Sequence, residues 1–456
     1  MRSVFLTQPY LLSMNPSSEM NVVWILREPL QGVVEYGSTE KLGNSIAAQC
    51  FEIQGLCLPA SEEGYGNFPE DNTPVTVWQC IAKIDGLAPG EQVYYRCKVE
   101  DEYTPVYHFH TAPEPGDPYR FVQVSDLQCL PACDEAMHAI GSQNPDFILY
   151  SGDMVRSSWR ADQWFDLQEP WQDADQVKRA FFPCMQQEDV RLMQYTPTFF
   201  CPGNHELNDM RYGEDKSFSV IDKNWNWSIF MQLFRPLYPD TDTTLTGRRW
   251  YSADYGDLHI VSLSINRWAR WGAHDYPGWR LFDSIAPGSP QIQWLEQDLQ
   301  EAKTKFKWVI QHFHILNRGK DVQDYLCQPQ IGPDGEITYP DDHGGQLMDL
   351  FEKYGVNAVS FGHSHVYERY CTKGCHYIEA ARITDVCYRG ADTRPHISGI
   401  LPLVEDNSKR SFLVLERKEG GIFATAFYGE GERQVFDQYQ IADENGRSVG
   451  PQVDKV

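Results

Sequence analysis

The chain has 456 residues, 41% of them hydrophobic, 23% charged and 13% aromatic, with a formal net charge of −25. That length exceeds one ordinary domain, and the apolar and aromatic content exclude extended disorder. So acidic a surface repels nucleic acid and anionic membranes, leaving neither as an expected partner, and a phosphate-bearing ligand would need positive charge supplied locally, as bound metals supply it.

Residues Met1 to Met20 show no basic segment followed by an apolar core. No apolar run approaches the ~20 residues that span a bilayer. The chain therefore reads as soluble, either cytoplasmic or exported with a leader removed. Of the 12 cysteines, Cys129/Cys133 and Cys371/Cys375 have C-x-x-x-C spacing, which is not the spacing of a zinc knuckle. Free thiols are expected, with one or two loop disulfides as the alternative.

Short strands with Gly/Pro turns come first: Asn21–Leu26, Gly32–Tyr36, Val75–Ile81, Val93–Val99 and Val106–His110. Such spacing predicts a β-sandwich over residues 1–111. Ala112–Pro118 holds three prolines and a glycine, so it propagates neither helix nor central strand and reads as a linker. The remaining 119–456 change pattern: apolar strands at Phe121–Val124, Phe147–Tyr150, Thr198–Phe200, Trp308–Ile310 and Ala358–Phe361 each run into a polar cluster, with helical stretches between. Ser289-Pro290 starts one helix, with Ile292, Leu295, Leu299 and Ala302 on one side. Alternating strands and helices predict α/β layers with reactive groups at the strands' carboxyl ends.

Those ends carry Asp126, Gly152-Asp153, Gly203-Asn204-His205-Glu206, His312 with His314, and Gly362-His363-Ser364-His365. Each signal is common alone. Together, carboxylates, an amide carbonyl and imidazoles suit Zn, Mn or Fe, and a shared carboxylate holds two such ions ~3.5–4 Å apart, the spacing of in-line attack on phosphorus.

These five blocks resemble those of the calcineurin-like metallophosphoesterases, and Gly362-His-Ser-His-Val-Tyr-Glu-Arg369 resembles the corresponding block of purple acid phosphatases. Met20-Asn-Val-Val-Trp24, Tyr36-Gly37 and Gly86–Gly90 through Arg96 resemble the fibronectin-like domain that precedes catalysis in that family. The resemblance implies a four-layer α/β (α+β) metallophosphoesterase sandwich behind an all-β fibronectin III-like sandwich. It implies a hydrolase of small phosphoester substrates, a phosphomonoesterase working through hydroxide on two divalent or trivalent metal ions. Asp153 would bridge the ions; Asn204, His314 and His363 would complete one; Asp126 and His365 would hold the other. His314 rests on its place six residues after Trp308, with His312 the alternative. His205 would protonate the leaving oxygen, and Glu206 would orient a histidine.

Two positions depart from the family. Arg156 stands where purple acid phosphatases have tyrosine, and Gln128 where most other relatives have histidine. Gln128 is expected as a weak oxygen ligand favouring Mn, and Arg156 and Arg318 as candidate phosphate contacts. Two other functions fit the sequence: a phosphodiesterase on the same scaffold, its cleft lined by some of Trp225, Trp227, Phe230, Phe234, Trp250, Tyr251, Trp268, Trp271 and Trp279, or a catalytically degenerate binding protein.

Overall fold

The computed structural model describes residues 3–58, 73–128, 133–167, 172–173, 176–177, 180–206, 229–238, 248–265, 283, 285–315, 330–331, 337–338, 343–379, 383, 401–406, 408–429 and 434–451. Arg318, Cys129, Trp225, Trp227, Trp268, Trp271 and Trp279 lie outside the described residues.

The front of the chain builds two antiparallel sheets from β1 (Tyr10–Leu12), β2 (Glu19–Leu26), β3 (Gly32–Gly37), β4 (Asn44–Ala47), β5 (Gln49–Ile53), β6 (Val77–Asp85), β7 (Gln92–Val99) and β8 (Tyr107–His110). Their orders are β1-β2-β6-β5 and β8-β7-β3-β4. Strand β7 shows why: Val93, Tyr95, Cys97 and Val99 alternate inward and meet Trp24, Leu26 and Val34 between the sheets. Free thiols were expected, with one or two loop disulfides as the alternative, and Cys50 and Cys80 are bonded. They sit on paired strands rather than loops, because the β5/β6 register sets them directly opposite, Cα atoms 4.2 Å apart. Cys57, Cys97, Cys184, Cys201, Cys371 and Cys375 are buried and take no part in this bond.

Behind this sandwich two sheets stack. The first, in order β11-β10-β9-β19-β20-β21, contains β9 (Tyr119–Val124), β10 (Phe147–Tyr150), β11 (Thr198–Phe200), β19 (Ser411–Lys418), β20 (Gly421–Tyr428) and β21 (Val435–Ala442). The second, in order β12-β13-β14-β15-β17-β16-β18, contains β12 (Tyr251–Tyr255), β13 (Leu258–Ser262), β14 (Phe306–Ile310), β15 (Ala358–Phe361), β16 (Tyr367–Thr372), β17 (Cys375–Glu379) and β18 (Val404–Asp406). Phe121 of β9 stacks on Phe147 at 4.5 Å and meets Trp308 of β14 edge-on at 5.3 Å, so aromatic side chains join the two sheets. Helix α1 (Cys133–Gly141) packs Ala136, Met137 and Ile140 into this core. Helices α2 (Pro290–Glu301) and α3 (His343–Tyr354) cover the second sheet, where Leu295, Leu299 and Phe351 meet Val261, Val309 and Val359. The layers are thus helix, sheet, sheet, helix. Ser289 is the N-cap of α2 with Pro290 following, but its hydroxyl makes no capping bond.

The front sandwich is tied to this body by buried bonds. Tyr10 Oη and Gln79 Nε2 donate to the Leu233 carbonyl at 2.7 and 2.6 Å, and Tyr95 Oη donates to that of Gln194 at 2.6 Å. The Cys57 amide donates to the carbonyl of Trp159 at 2.9 Å.

Candidate metal centre

Strands β9, β10 and β11 run parallel, as do β13, β14, β15 and β17, and the carboxyl ends of β9, β10, β11, β14 and β15 lead into the site. Past each of these strands the chain turns sharply. Asp126, Gln128, Asp153, His363 and His365 all have positive φ, from 47° to 79°. Non-glycine residues adopt this region at a cost of order 1–3 kcal/mol each, and such outliers cluster at functional sites.

The oxygen donors come from the first sheet. The Asp126 amide donates to the Gly152 carbonyl at 3.0 Å and that of Gln128 to the Asp153 carbonyl at 3.1 Å, zipping two loops together. Two glycines permit the approach. A Cβ on Gly152 (φ 87°) would lie 2.7 Å from His312 Nδ1, and one on Gly203 would collide with Asp153. Buried Glu206 accepts the amides of Asp153, Gly203 and Met154 at 2.7, 2.7 and 2.8 Å. Its expected part was to orient a histidine; these bonds instead pin the backbone of the Asp153 and Asn204 loops. Burial, then the charge of Asp153, pushes its carboxyl up to about 8.

The nitrogen donors come from the second sheet. His312 Nε2 lies 3.2 Å from Asp153 Oδ2 and 3.1 Å from Asn204 Oδ1. His363 Nδ1 lies 3.0 Å from the same Asn204 oxygen, and the ligand atoms of Asp153, His312 and His363 all fall within 4.8 Å of one another. Across the Asp153 carboxylate, His365 Nε2 is 3.2 Å from Asp126 Oδ1, and Gln128 Nε2 lies 3.2 Å from His365 Nε2 and donates to Asp153 Oδ2 at 3.2 Å, so the side-chain nitrogen of Gln128, not its oxygen, faces this position. Burial alone would raise the Asp153 carboxyl, but the imidazoles of His312 and His205 hold it well below the usual range. His363 is lowered well below an ordinary histidine, by burial first and then by His312.

His314, expected at this centre, is not there. Strand β14 ends at Ile310, and the Gly362 amide donates to the His312 carbonyl at 3.0 Å, so the loop turns at His312. His312 enters the site, while the His314 ring lies on Phe361 at 4.4 Å and forms a separate buried group with Glu368 and Glu379. The spacing of six residues after Trp308 that the family resemblance implied therefore does not hold in this chain, and the alternative, His312, takes the place.

His205 sits at the mouth, its side chain 12% exposed. Its amide donates to Asp153 Oδ1 at 3.0 Å and its Nδ1 lies 2.7 Å from the Arg156 carbonyl, so the ring proton is on Nδ1 and Nε2 faces the centre, 3.7 Å from Asp153 Oδ2. Arg156 thus enters the site through its main chain, a contact that sequence reading did not find because any residue supplies a carbonyl. Phe230, Phe234 and Tyr251 are buried core residues.

This geometry accompanies a clear relationship. Residues 119–367 match the model of the calcineurin-like phosphoesterases, and residues 6–111 match that of the purple acid phosphatase N-terminal domain. The chain belongs to the calcineurin-like phosphoesterase family, as its motif blocks indicated.

Among curated relatives, it is 28% identical over 183 residues to mouse acid phosphatase type 7, covering 38% of this chain and 32% of that protein. It is 23% identical over 305 residues to purple acid phosphatase 23 of Arabidopsis thaliana, covering 63% of this chain and 56% of the relative. The chain therefore spans between about a third and just over half the length of these relatives. In fold it resembles purple acid phosphatase PPD1 from yellow lupin seeds, with TM-score 0.64 and 17% identity over 96% of this chain and 74% of that one. It likewise resembles a structure of PhoD, with TM-score 0.61 and 13% identity over 99% and 94% of the two chains. The expected fold class, a metallophosphoesterase layer sandwich behind an all-β domain, agrees with these likenesses.

Proposed function

We propose that this chain hydrolyses phosphomonoesters with two metal ions. The observation that carries the reading is the orientation of His312. Its Nδ1 lies 2.7 Å from the Ser151 carbonyl, which only accepts, so Nδ1 carries a proton and Nε2 points at oxygens of Asp153 and Asn204, where it needs either a second proton or a metal ion. A metal ion in that place takes the role of the second proton, and imidazole with carboxylate and amide oxygen is a donor set for Zn, Mn or Fe. Burial opposes charge on the ring, yet Asp153 and Asp126 push it up to about 10, so the surrounding carboxylates favour a positive charge at this point.

Asp153, Asn204, His312 and His363 would hold one ion; Asp153, Asp126, His365 and Gln128 the other. When bound, such ions supply Lewis-acid activation of the phosphoester and of the attacking water. The chain's own groups do the rest. Ser151 and Glu206 keep His312 and Asp153 in place. Arg156's carbonyl holds the Nδ1 proton of His205, so that in the imidazolium form the Nε2–H presents to the leaving oxygen and can be given to it, leaving the ring neutral, the role of a general acid. Gln128 would have to turn its side-chain amide over to offer a neutral oxygen there, a weaker donor than the usual imidazole, which would favour Mn at the second position; calorimetry showing two equally tight zinc sites would overturn that assignment. Elemental analysis together with turnover of p-nitrophenyl phosphate and its bis ester tests the whole. Two ions in this centre and hydrolysis of the monoester alone are expected. Preference for the bis ester would make the enzyme a diesterase, and no turnover with saturating Mn would make the chain a binding protein.

A further inference from the structure

Behind the Gly362–His365 loop lies the second group, His314, Glu368 and Glu379, each only 1% exposed. Its ligand atoms also fall within 4.8 Å of one another, with His314 Nε2 3.9 Å from Glu368 Oε2. Donors ~2.0–2.2 Å from a single ion stand roughly 3–4 Å apart, so small side-chain movements would close this set around one.

The register sharpens the case. Glu368 of β16 and Glu379 of β17 are directly opposed across an antiparallel pair. Two carboxylates so placed, with an imidazole beside them, converge on one point, as the donors of a single cation do. Other groups hold the donors in position. Tyr370 Oη donates to Glu368 Oε2 at 2.6 Å, the Ser364 amide donates to Glu379 Oε1 at 2.7 Å, and the His314 ring is clamped by Phe361 and, edge-on at 5.3 Å, by Tyr370. A ligand set whose carboxylates are themselves hydrogen-bonded is how metal sites are stiffened.

We propose that His314, Glu368 and Glu379 bind an additional divalent transition-metal ion, separate from the binuclear centre. It would neutralise the opposed carboxylates and fasten the end of β14 to β16 and β17. Because Glu379 holds the Ser364 amide, the ion would also brace the turn that presents His363 and His365. One imidazole and two carboxylates suit zinc, manganese or ferrous iron.

The test is metal content of the full chain after saturation with Mn or Zn and removal of excess. It compares the wild type with Glu379→Gln, His314→Gln, Asp153→Ala and Asp153→Ala/Glu379→Gln, with circular dichroism confirming the fold of each. One ion fewer is expected on adding Glu379→Gln to either background, and one fewer in His314→Gln; Mn-loaded Asp153→Ala keeps an electron paramagnetic resonance signal that the double variant lacks. Folded Glu379→Gln and His314→Gln proteins with the wild-type metal count would overturn the proposal and assign the counter-charge to the protein itself. The result stands apart from the phosphatase reading, because it is scored in a background where Asp153 is already gone.

Discussion

The two stacked sheets contribute differently to the centre. The first supplies its oxygens: Asp126, Asp153 and Asn204 follow β9, β10 and β11. The second supplies its nitrogens: His312, His363 and His365 follow β14 and β15. Neither half is a site. The aromatic packing of Phe121 against Trp308 and its neighbours, with buried bonds such as that from Ser262 Oγ to the Phe200 carbonyl at 2.9 Å, brings the halves into register, so donors far apart in sequence meet once the core between the sheets has formed. Metal affinity in such an arrangement is folding energy in another form, because the unfolded chain has no comparable site.

The sharpest way to break this pairing is at the residue that faces both halves. Asp153→Ala removes the carboxylate shared between His312 and the Gln128/His365 side. It should abolish bound metal at the centre and lower p-nitrophenyl phosphate turnover by at least about 10³-fold, more than ~4 kcal/mol of transition-state stabilisation. Elemental analysis and steady-state rates check it together; near-normal rates with full metal would mean that the centre is held by the histidine half alone.

His205 belongs to neither donor set, although it follows β11. His205→Ala should therefore leave metal content unchanged and lower kcat by about 10²–10⁴-fold, the range of a lost general acid. Metal loss in this variant would make it a ligand. A substrate with a leaving group that needs no proton should recover much of the rate, which a merely structural role would not produce.

The oxygen half was largely legible in the sequence, since each donor directly follows an apolar strand and a Gly-x or Asp-x turn. The histidine half was less so. Two histidines two residues apart cannot be separated by strand periodicity once the strand has ended, and what separates them is a hydrogen bond from Gly362, fifty residues on. Glu379 was invisible for a similar reason: it is a strand residue like any other until the register sets it against Glu368. The hairpins β19 to β21 complete the first sheet beside β9, a pairing between residues almost 300 apart that no local pattern encodes.

A change remote from both halves supplies the control. The Cys50–Cys80 bond closes a loop with a sequence separation of 30, worth about 3–4 kcal/mol to the front sandwich in the chain-entropy account. Cys50→Ala/Cys80→Ala should lower the melting temperature under non-reducing conditions and leave metal stoichiometry intact. A drop in metal content would show that the front sandwich braces the centre, through the Cys57–Trp159 bond beside the Arg156 loop.

The smallest effect is expected at the outer edge of the histidine-bearing sheet. His259 of β13 lies between Asp254 of β12 and Asp298 of α2, with Nδ1 and Nε2 2.6 and 2.9 Å from their carboxylates. Burial opposes its protonation, but the two hydrogen-bonded carboxylates prevail and raise it to about 9. A histidine raised in the folded state stabilises fully below its unfolded value, ~6.5, and loses that contribution as pH climbs through the folded one. The clamp of the β12/β13 hairpin onto α2 is thus present at pH 6 and gone above about pH 9.5. Because the Asp254 side chain is 60% exposed, solvent screening leaves about 2 kcal/mol. The melting temperature of wild type should exceed that of His259→Gln at pH 6 and approach it by pH 10, and salt should narrow the gap at low pH. A gap independent of pH would mean that packing rather than charge fixes His259, and that the edge of this sheet is held as its centre is, by apolar contact.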